Sequence, residues 1–189
     1  MNTQELEEKL EAGVETPGLD YKGPCDWNSA TFAKDILALS NVQDGGYIII
    51  GVEELTNNTF ARRGVSAVQR DSFEVDKMRD QLSSYADPHV KFNVAFVKDK
   101  AGLEYVAIKV LPFDEVPVIC SRESGDTHKA TIYYRNRDRR VESAPVSNAF
   151  DLRDIVERAA VKMMQRMRGL GLTAEPSVQK KLDEELEGL

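Results

Sequence analysis

The sequence predicts an α+β fold, and three observations carry that reading. An apolar run from Tyr47 to Val52 follows Gly45-Gly46 and ends in two adjacent acids, Glu53 and Glu54. Two alternating segments, Phe92/Val94/Phe96 and Val106/Ile108/Val110, flank a Lys100-Ala101-Gly102 turn and so read as a β-hairpin. Around them lie several stretches with apolar residues at helical spacing. With 189 residues, 41% hydrophobic and 30% charged, the chain is long enough to bury one real core with short appendages.

Taken in order, a first helix is expected from Thr3, as N-cap, to Ala12, with Gly13 as its stop and a thin stripe of Leu6 and Leu10. A second starts near Asn28 or Ser29 and turns Phe32, Ile36, Leu37 and Leu39 inward. The run from Tyr47 to Val52 has no charged side chain and is bounded by glycines, the pattern of a strand covered on both faces. A third helix is expected over Phe73 to Tyr85, with Met78, Leu82 and Tyr85 on one face. After the hairpin and Pro145, Ser147 can cap a long helix to about Arg168. Gly169, Gly171 and Pro176 then lead to a short acidic helix with Val178, Leu182 and Leu186 on one face, which must dock on its own domain or on a second copy.

Composition removes several function classes. The apolar runs fall well short of the ~18 to 20 residues of a membrane helix, and the acidic N-terminal stretch lacks the pattern of a signal peptide, so a cytoplasmic location is expected. Cys25 and Cys120 are too few for a disulfide framework, and neither forms a zinc spacing with His89 or His128. There is no G-x-S-x-G elbow, no H-E-x-x-H and no paired C-x-x-C.

The remaining chemistry is acidic. Glu15 and Asp20 lie five positions apart across a Pro17-Gly18 turn, and Lys22 follows on the same face of a strand as Asp20. With Glu53 and Glu54 at the end of a buried strand, these residues supply carboxylates for an Mg²⁺ or Mn²⁺ ion and a lysine for phosphoryl charge, which is what phosphodiester cleavage requires. Taken alone, the acidic pair reads first as a solvated strand end, since strand ends are usually polar.

The spacing E-x-x-x-x-D-x-K, followed by S-N-x-x-D-G-G-Y-I-I-I-G-V-E-E, resembles the Schlafen-type AlbA-like domain, whose usual form is E-x-x-x-x-E-F-K and then A-N-x-x-G-G-hydrophobic-G-V-D-D. Arg63-Gly64-Val65, a strand over Val116-Pro117-Val118, and Ile132-Tyr133-Tyr134-Arg135 as a late Y-x-R strand extend the likeness over about residues 10 to 145. It implies a single mixed β-sheet with flanking helices over residues 1 to 145, and a helical extension over residues 146 to 189 that serves as an oligomerisation element. It further implies a metal-dependent endoribonuclease acting on structured RNA such as tRNA, with Glu15, Asp20 and Glu54 as catalytic metal ligands for Mg or Mn and Lys22 as their catalytic partner. Two positions depart from the usual form, Asp20 for glutamate and Glu53-Glu54 for aspartates, each moving a carboxylate by about one methylene, which bears on geometry and rate.

The net charge of −7 argues against nucleic acid unless it is unevenly spread. Residues 1 to 15 and 175 to 189 each carry five acids, against one and two lysines, and hold the whole imbalance. Within the neutral middle, Arg122, Lys129, Arg135, Arg137, Arg139 and Arg140 outnumber Glu123, Asp126 and Asp138. With Tyr134 as a stacking face, this stripe is the expected nucleic-acid contact, since screening confines each charge to ~8 to 10 Å at ordinary ionic strength. Of Tyr133 and Tyr134, one is expected in the core and one exposed. Longer Schlafen-like proteins build an RNA cradle from two similar lobes, so a homodimer through the C-terminal helices is expected here. Two alternatives stand beside the nuclease: a non-catalytic DNA- or RNA-binding module of the same fold, and a nucleotide- or ATP-binding domain. The last lacks a G-x-x-x-x-G-K-[ST] loop.

Overall fold

A computed structural model describes residues 1–56, 59–135 and 141–172. In chain order the elements are α1 (Thr3–Ala12), β1 (Leu19–Lys22), α2 (Ser29–Ser40), β2 (Gly46–Ile50), β3 (Val52–Glu54), β4 (Phe60–Arg62), α3 (Ala67–Ser72), α4 (Val75–Ser83) and β5 (Ala86–Asp87). There follow β6 (Phe92–Lys98), β7 (Glu104–Val110), β8 (Ile119–Cys120), β9 (Tyr133–Arg135), β10 (Ser143–Pro145) and α5 (Ala149–Gly169). The central sheet runs β1-β2-β7-β6. Its first pair is parallel, joined by the α2 crossover, and its other pairs are antiparallel. The fold is therefore α+β with one mixed sheet and flanking helices, as expected.

The sheet is buried on both faces because β2 alternates apolar residues between two cores. Ile48 and Ile50 pack with Phe32, Ile36 and Leu39 of α2 and with Met78 and Leu82 of α4. Ile49 turns the other way, onto Leu6 and Leu10 of α1 and Tyr105 of β7. A third cluster joins Leu37 and Ala38 on the far side of α2 to Cys120, Tyr133, Tyr134 and Ile155 of α5. Both flanks of α2 are thus covered, so Leu37 packs in a different core from Phe32 and Ile36.

The N-termini of α1, α2, α3 and α5 follow side-chain caps, whereas α4 has none. The cap of α1 is Asn2, one residue before Thr3: its side chain accepts from Glu5 N–H while the Glu5 carboxylate accepts from Asn2 N–H. Likewise α5 is capped by Asn148 instead of Ser147, through Asp151 N–H. The third expected helix divides: a short α3, with its own capping box between Ser66 and Gln69, ends at buried Phe73, and α4 begins at Val75.

Two strand expectations are corrected. The arm expected over Tyr47 to Val52 breaks at Gly51, whose φ of 109° lies where side chains are strained. Its carbonyl accepts from the N–H groups of Arg63 and Gly64, and a Cβ there would lie 2.9 Å from the Tyr105 ring and 3.0 Å from Gly64. Val52, Glu53 and Glu54 therefore leave the central sheet and pair with β4. Val116-Pro117-Val118 is not a strand, because the side chain of buried Asn41 takes both the N–H and the C=O of Val118. The same amide also donates to Leu37 and Tyr133 carbonyls, tying α2 to β9.

Candidate functional site

Five secondary-structure units converge on one cleft of about 430 Å³, lined by Glu15, Asp20, Lys22, Asp35, Glu54 and Arg135, with Thr31, Lys34, Asp126 and Glu142 at its margins. Strand β1 supplies Asp20 and Lys22 from one face, as its two-residue period requires. Glu15 comes from the turn before β1, where its carboxylate accepts from Tyr21 N–H at 3.1 Å. Asp35 comes from α2, Glu54 from the ribbon strand β3, and Arg135 from β9. Thus the four expected catalytic residues, Glu15, Asp20, Lys22 and Glu54, share one cavity.

A charge network organises them. Arg135 donates from Nη1 to Asp20 Oδ1 at 2.6 Å and from Nη2 to the Leu19 carbonyl at 3.2 Å, with Glu15 Oε2 3.7 Å away. Lys22 Nζ lies 3.0 Å from Asp20 Oδ2 and 2.8 Å from Asp35 Oδ2. Asp20 is thus held between two cations, Arg135 on Oδ1 and the Lys22 ammonium on Oδ2.

Burial, then the charge of Asp20, raises the Glu15 pKa above the usual value of 4.5, against lowering by Tyr21 N–H, Arg135 and Lys22. Lys22 shows the opposite balance. Burial pulls its pKa down, but Asp20 and Asp35 together outweigh burial and hold the ammonium charged.

Other expected residues are placed differently. Glu53 pairs with Arg63 at 2.8 Å and does not line the cleft. Arg122 and Lys129 are exposed, on the segment between β8 and β9. Tyr134 and Arg135 are not a surface contact: both are buried, Arg135 to 1% exposure, and the Tyr134 hydroxyl donates to Asp154. Tyr133 is buried as well, so the expected division of the two tyrosines does not hold; the Asn41 tie and α5 cover both. Arg137, Arg139 and Arg140 lie outside the described residues, as do Val178, Leu182 and Leu186.

Asp35 is the site residue that sequence reading missed. Its signal was an acid that, beside Lys34, interrupts the apolar stretch from Phe32 to Leu39, where a buried charge needs a partner.

Whether these residues suit a divalent cation can be judged from their charges. The cleft lining holds six acids (Glu15, Asp20, Asp35, Glu54, Asp126, Glu142) against three bases (Lys22, Lys34, Arg135). Burial and then the like charge of Asp20 raise the Glu15 pKa. Among the described residues no group of three or more His, Cys, Asp or Glu side chains is drawn together closely enough to hold a metal ion by itself. An open site suits Mg²⁺, which keeps several waters and takes one or two carboxylates plus substrate phosphate oxygens. The donor set fits on those terms.

Two further depressions, of about 230 and 500 Å³, share His89, Val90, Lys91 and Leu111 and contain none of the expected site residues. Both cysteines are free. Among the described residues no helix is long and apolar enough to cross a membrane.

A family model described as Schlafen, AlbA_2 matches residues 15–144. No curated protein matches the chain. Among solved structures, the chain is similar to the DIP2311 protein of Corynebacterium diphtheriae at 16% identity and a TM-score of 0.49. That match covers 80% of this chain but spans only 27% of the other. It is also similar to the N-terminal domain of a RecG-related protein from Nitrosomonas europaea, at 16% identity and a TM-score of 0.48, covering 79% of this chain and 97% of that one.

Proposed function

The chain belongs to the Schlafen AlbA_2 family, a family of nucleic-acid-binding domains, and from that premise we propose that it is a metal-dependent endoribonuclease acting on structured RNA such as tRNA. The observation that carries the reading is the convergence of Glu15, Asp20, Glu54 and Lys22 on one cleft from separate parts of the chain. Glu15, Asp20 and Glu54 would hold Mg²⁺ or Mn²⁺. When bound, such an ion supplies positive charge to a phosphate and makes a water more acidic.

The chain's own residues do the positioning. Lys22, kept charged by Asp20 and Asp35, is set to neutralise charge growing on phosphoryl oxygens. Arg135 fixes the Asp20 carboxylate and, with its side chain almost wholly buried, is given a positioning role. Exposed Arg122 and Lys129 are left to contact the RNA backbone.

One observation favours a second reading. Asp20 already has two cationic partners, as an acid with a structural role would. That supports a non-catalytic nucleic-acid-binding module of the same fold.

Incubating the full chain with tRNA in Mn²⁺ and in EDTA, beside Glu54→Gln, separates the two. Glu54 is exposed, so its substitution spares the core. Discrete fragments that need both the metal and Glu54 are the expected result. Intact tRNA that is nevertheless bound in every condition would establish the module instead.

A further inference from the structure

Helix α5 is long but shallowly held. Over 21 residues it buries only Asp151 and Ile155, and farther along it is tied to the body through Arg158 to the Asn41 carbonyl, Lys162 to the Phe113 carbonyl and Arg166 to Glu115. At 100° per residue these contacts occupy one side of the helix. A different flank carries Leu152, Val156, Ala160, Met163, Met167 and Leu170, all exposed, with Val156 at 56% and Met167 at 47%. Spaced by four, four, three, four and three residues, they form one continuous apolar stripe on the flank turned away from those contacts. An apolar stripe of this length in water marks a surface that something covers.

The chain supplies an occupant just beyond the helix end. Leu172 N–H donates to the Met167 carbonyl and Gly171 N–H to the Arg168 carbonyl, with Gly171 at φ 71°, which is a Schellman stop that redirects the chain. Past Pro176 the sequence repeats the stripe pattern, with Val178, Leu182 and Leu186 at successive steps of four. In a helical register those residues rise ~12 Å, the same as the span from Met167 back to Ala159. Charge agrees with that pairing. Helix α5 carries five bases against three acids, whereas residues 175 to 189 carry five acids against two lysines.

We propose that residues 176 to 189 fold back as an amphipathic helix onto the Val156–Met167 stripe of α5 in the same chain, closing an antiparallel helical hairpin. Val178 then lies against Met167, Leu182 against Met163, and Leu186 against Ala160. Pairing within one chain is favoured because the connection from Leu172 to Pro176 is short, which keeps the local concentration of the segment high.

The test is disulfide trapping in the full chain. Met163→Cys with Leu182→Cys, and separately Ala160→Cys with Leu186→Cys, are compared with Gln165→Cys with Leu182→Cys, whose first position is exposed on another side of α5. Circular dichroism checks that each variant keeps the fold, and peptide mass spectrometry sets the new bond apart from the native thiols. Both stripe pairs should close within one chain at least ~10-fold faster than the control pair, in keeping with the effective concentration of a short tether. Bonds that form mainly between chains would overturn the proposal and identify a second copy as the occupant. Equal rates in the stripe and control pairs would overturn it too, by showing that the segment does not dock.

Discussion

Arg135 and Asp20 meet at 2.6 Å, both side chains almost wholly buried, although they lie 115 residues apart in sequence. The pair fixes the acid on β1 from a strand late in the chain and is also the point where the site is joined to the core.

Breaking that pair should be costly, because the remaining carboxylate would be buried with less compensation. Arg135→Met is expected to lower unfolding free energy by about 3 to 5 kcal/mol, measured from urea midpoints at neutral pH. Adding Asp20→Asn to the same chain should recover part of the loss. A change under about 1 kcal/mol, the level of an exposed ion pair, would mean that the contact is solvent-screened.

Glu15 sets a pH dependence of defined sign. Its folded pKa is raised, so between 4.5 and that raised value the folded chain holds more protons than the unfolded chain, and stability falls as pH rises through this window. Asp20, Arg135 and Lys22 are the charges facing it. Glu15→Gln removes the penalty while keeping an acceptor for Tyr21 N–H. Melting curves across pH should show the variant gaining on the wild type as pH rises from 4.5 to neutral and matching it below; an offset independent of pH would refute this account.

Asp35 is expected to act through Lys22. Asp35→Asn removes one of the two carboxylates that hold the ammonium, and loss of placement at this scale costs about 10- to 100-fold in rate. Under the nuclease reading, kcat for RNA cleavage should fall by that amount while the apparent affinity for RNA changes little. An equal loss of affinity would make Asp35 a binding determinant instead.

Gly45 makes the turn into β2 possible. At φ 68°, a Cβ would stand 2.2 Å from the Val110 carbonyl oxygen, so Gly45→Ala combines backbone strain with a clash against a rigid strand. A loss of about 3 kcal/mol or more is expected. Gly102→Ala is the control: φ is 87° but the space around it is open, and its cost should be nearer ~1 kcal/mol. Thermal melts of the two variants compare them directly.

Local signals made much of this legible. The two-residue period placed Asp20 and Lys22 together, the Pro17-Gly18 turn brought Glu15 beside them, and the apolar run after Gly45-Gly46 marked β2. What escaped was long-range pairing. Nothing near Arg135 in sequence says that its guanidinium is taken by Asp20, so it reads as one more base in a surface stripe. Asp35 was hidden in the same way by its distant partner, Lys22. The break at Gly51 depends on Gly64 and Tyr105 pressing against it, contacts that no local pattern announces.

The central claim is that Glu15, Asp20 and Glu54 act together on a divalent cation. Its most direct measurement is Mn²⁺ titration of the full chain followed by electron paramagnetic resonance, beside Glu15→Gln and Glu54→Gln. The account predicts saturable binding that either substitution weakens by at least ~10-fold, one charge-assisted ligand contact being worth roughly 1.5 to 3 kcal/mol. Binding that is absent, or that survives both substitutions unchanged, would contradict it and leave Glu15 and Asp20 as structural partners of Arg135 and Lys22.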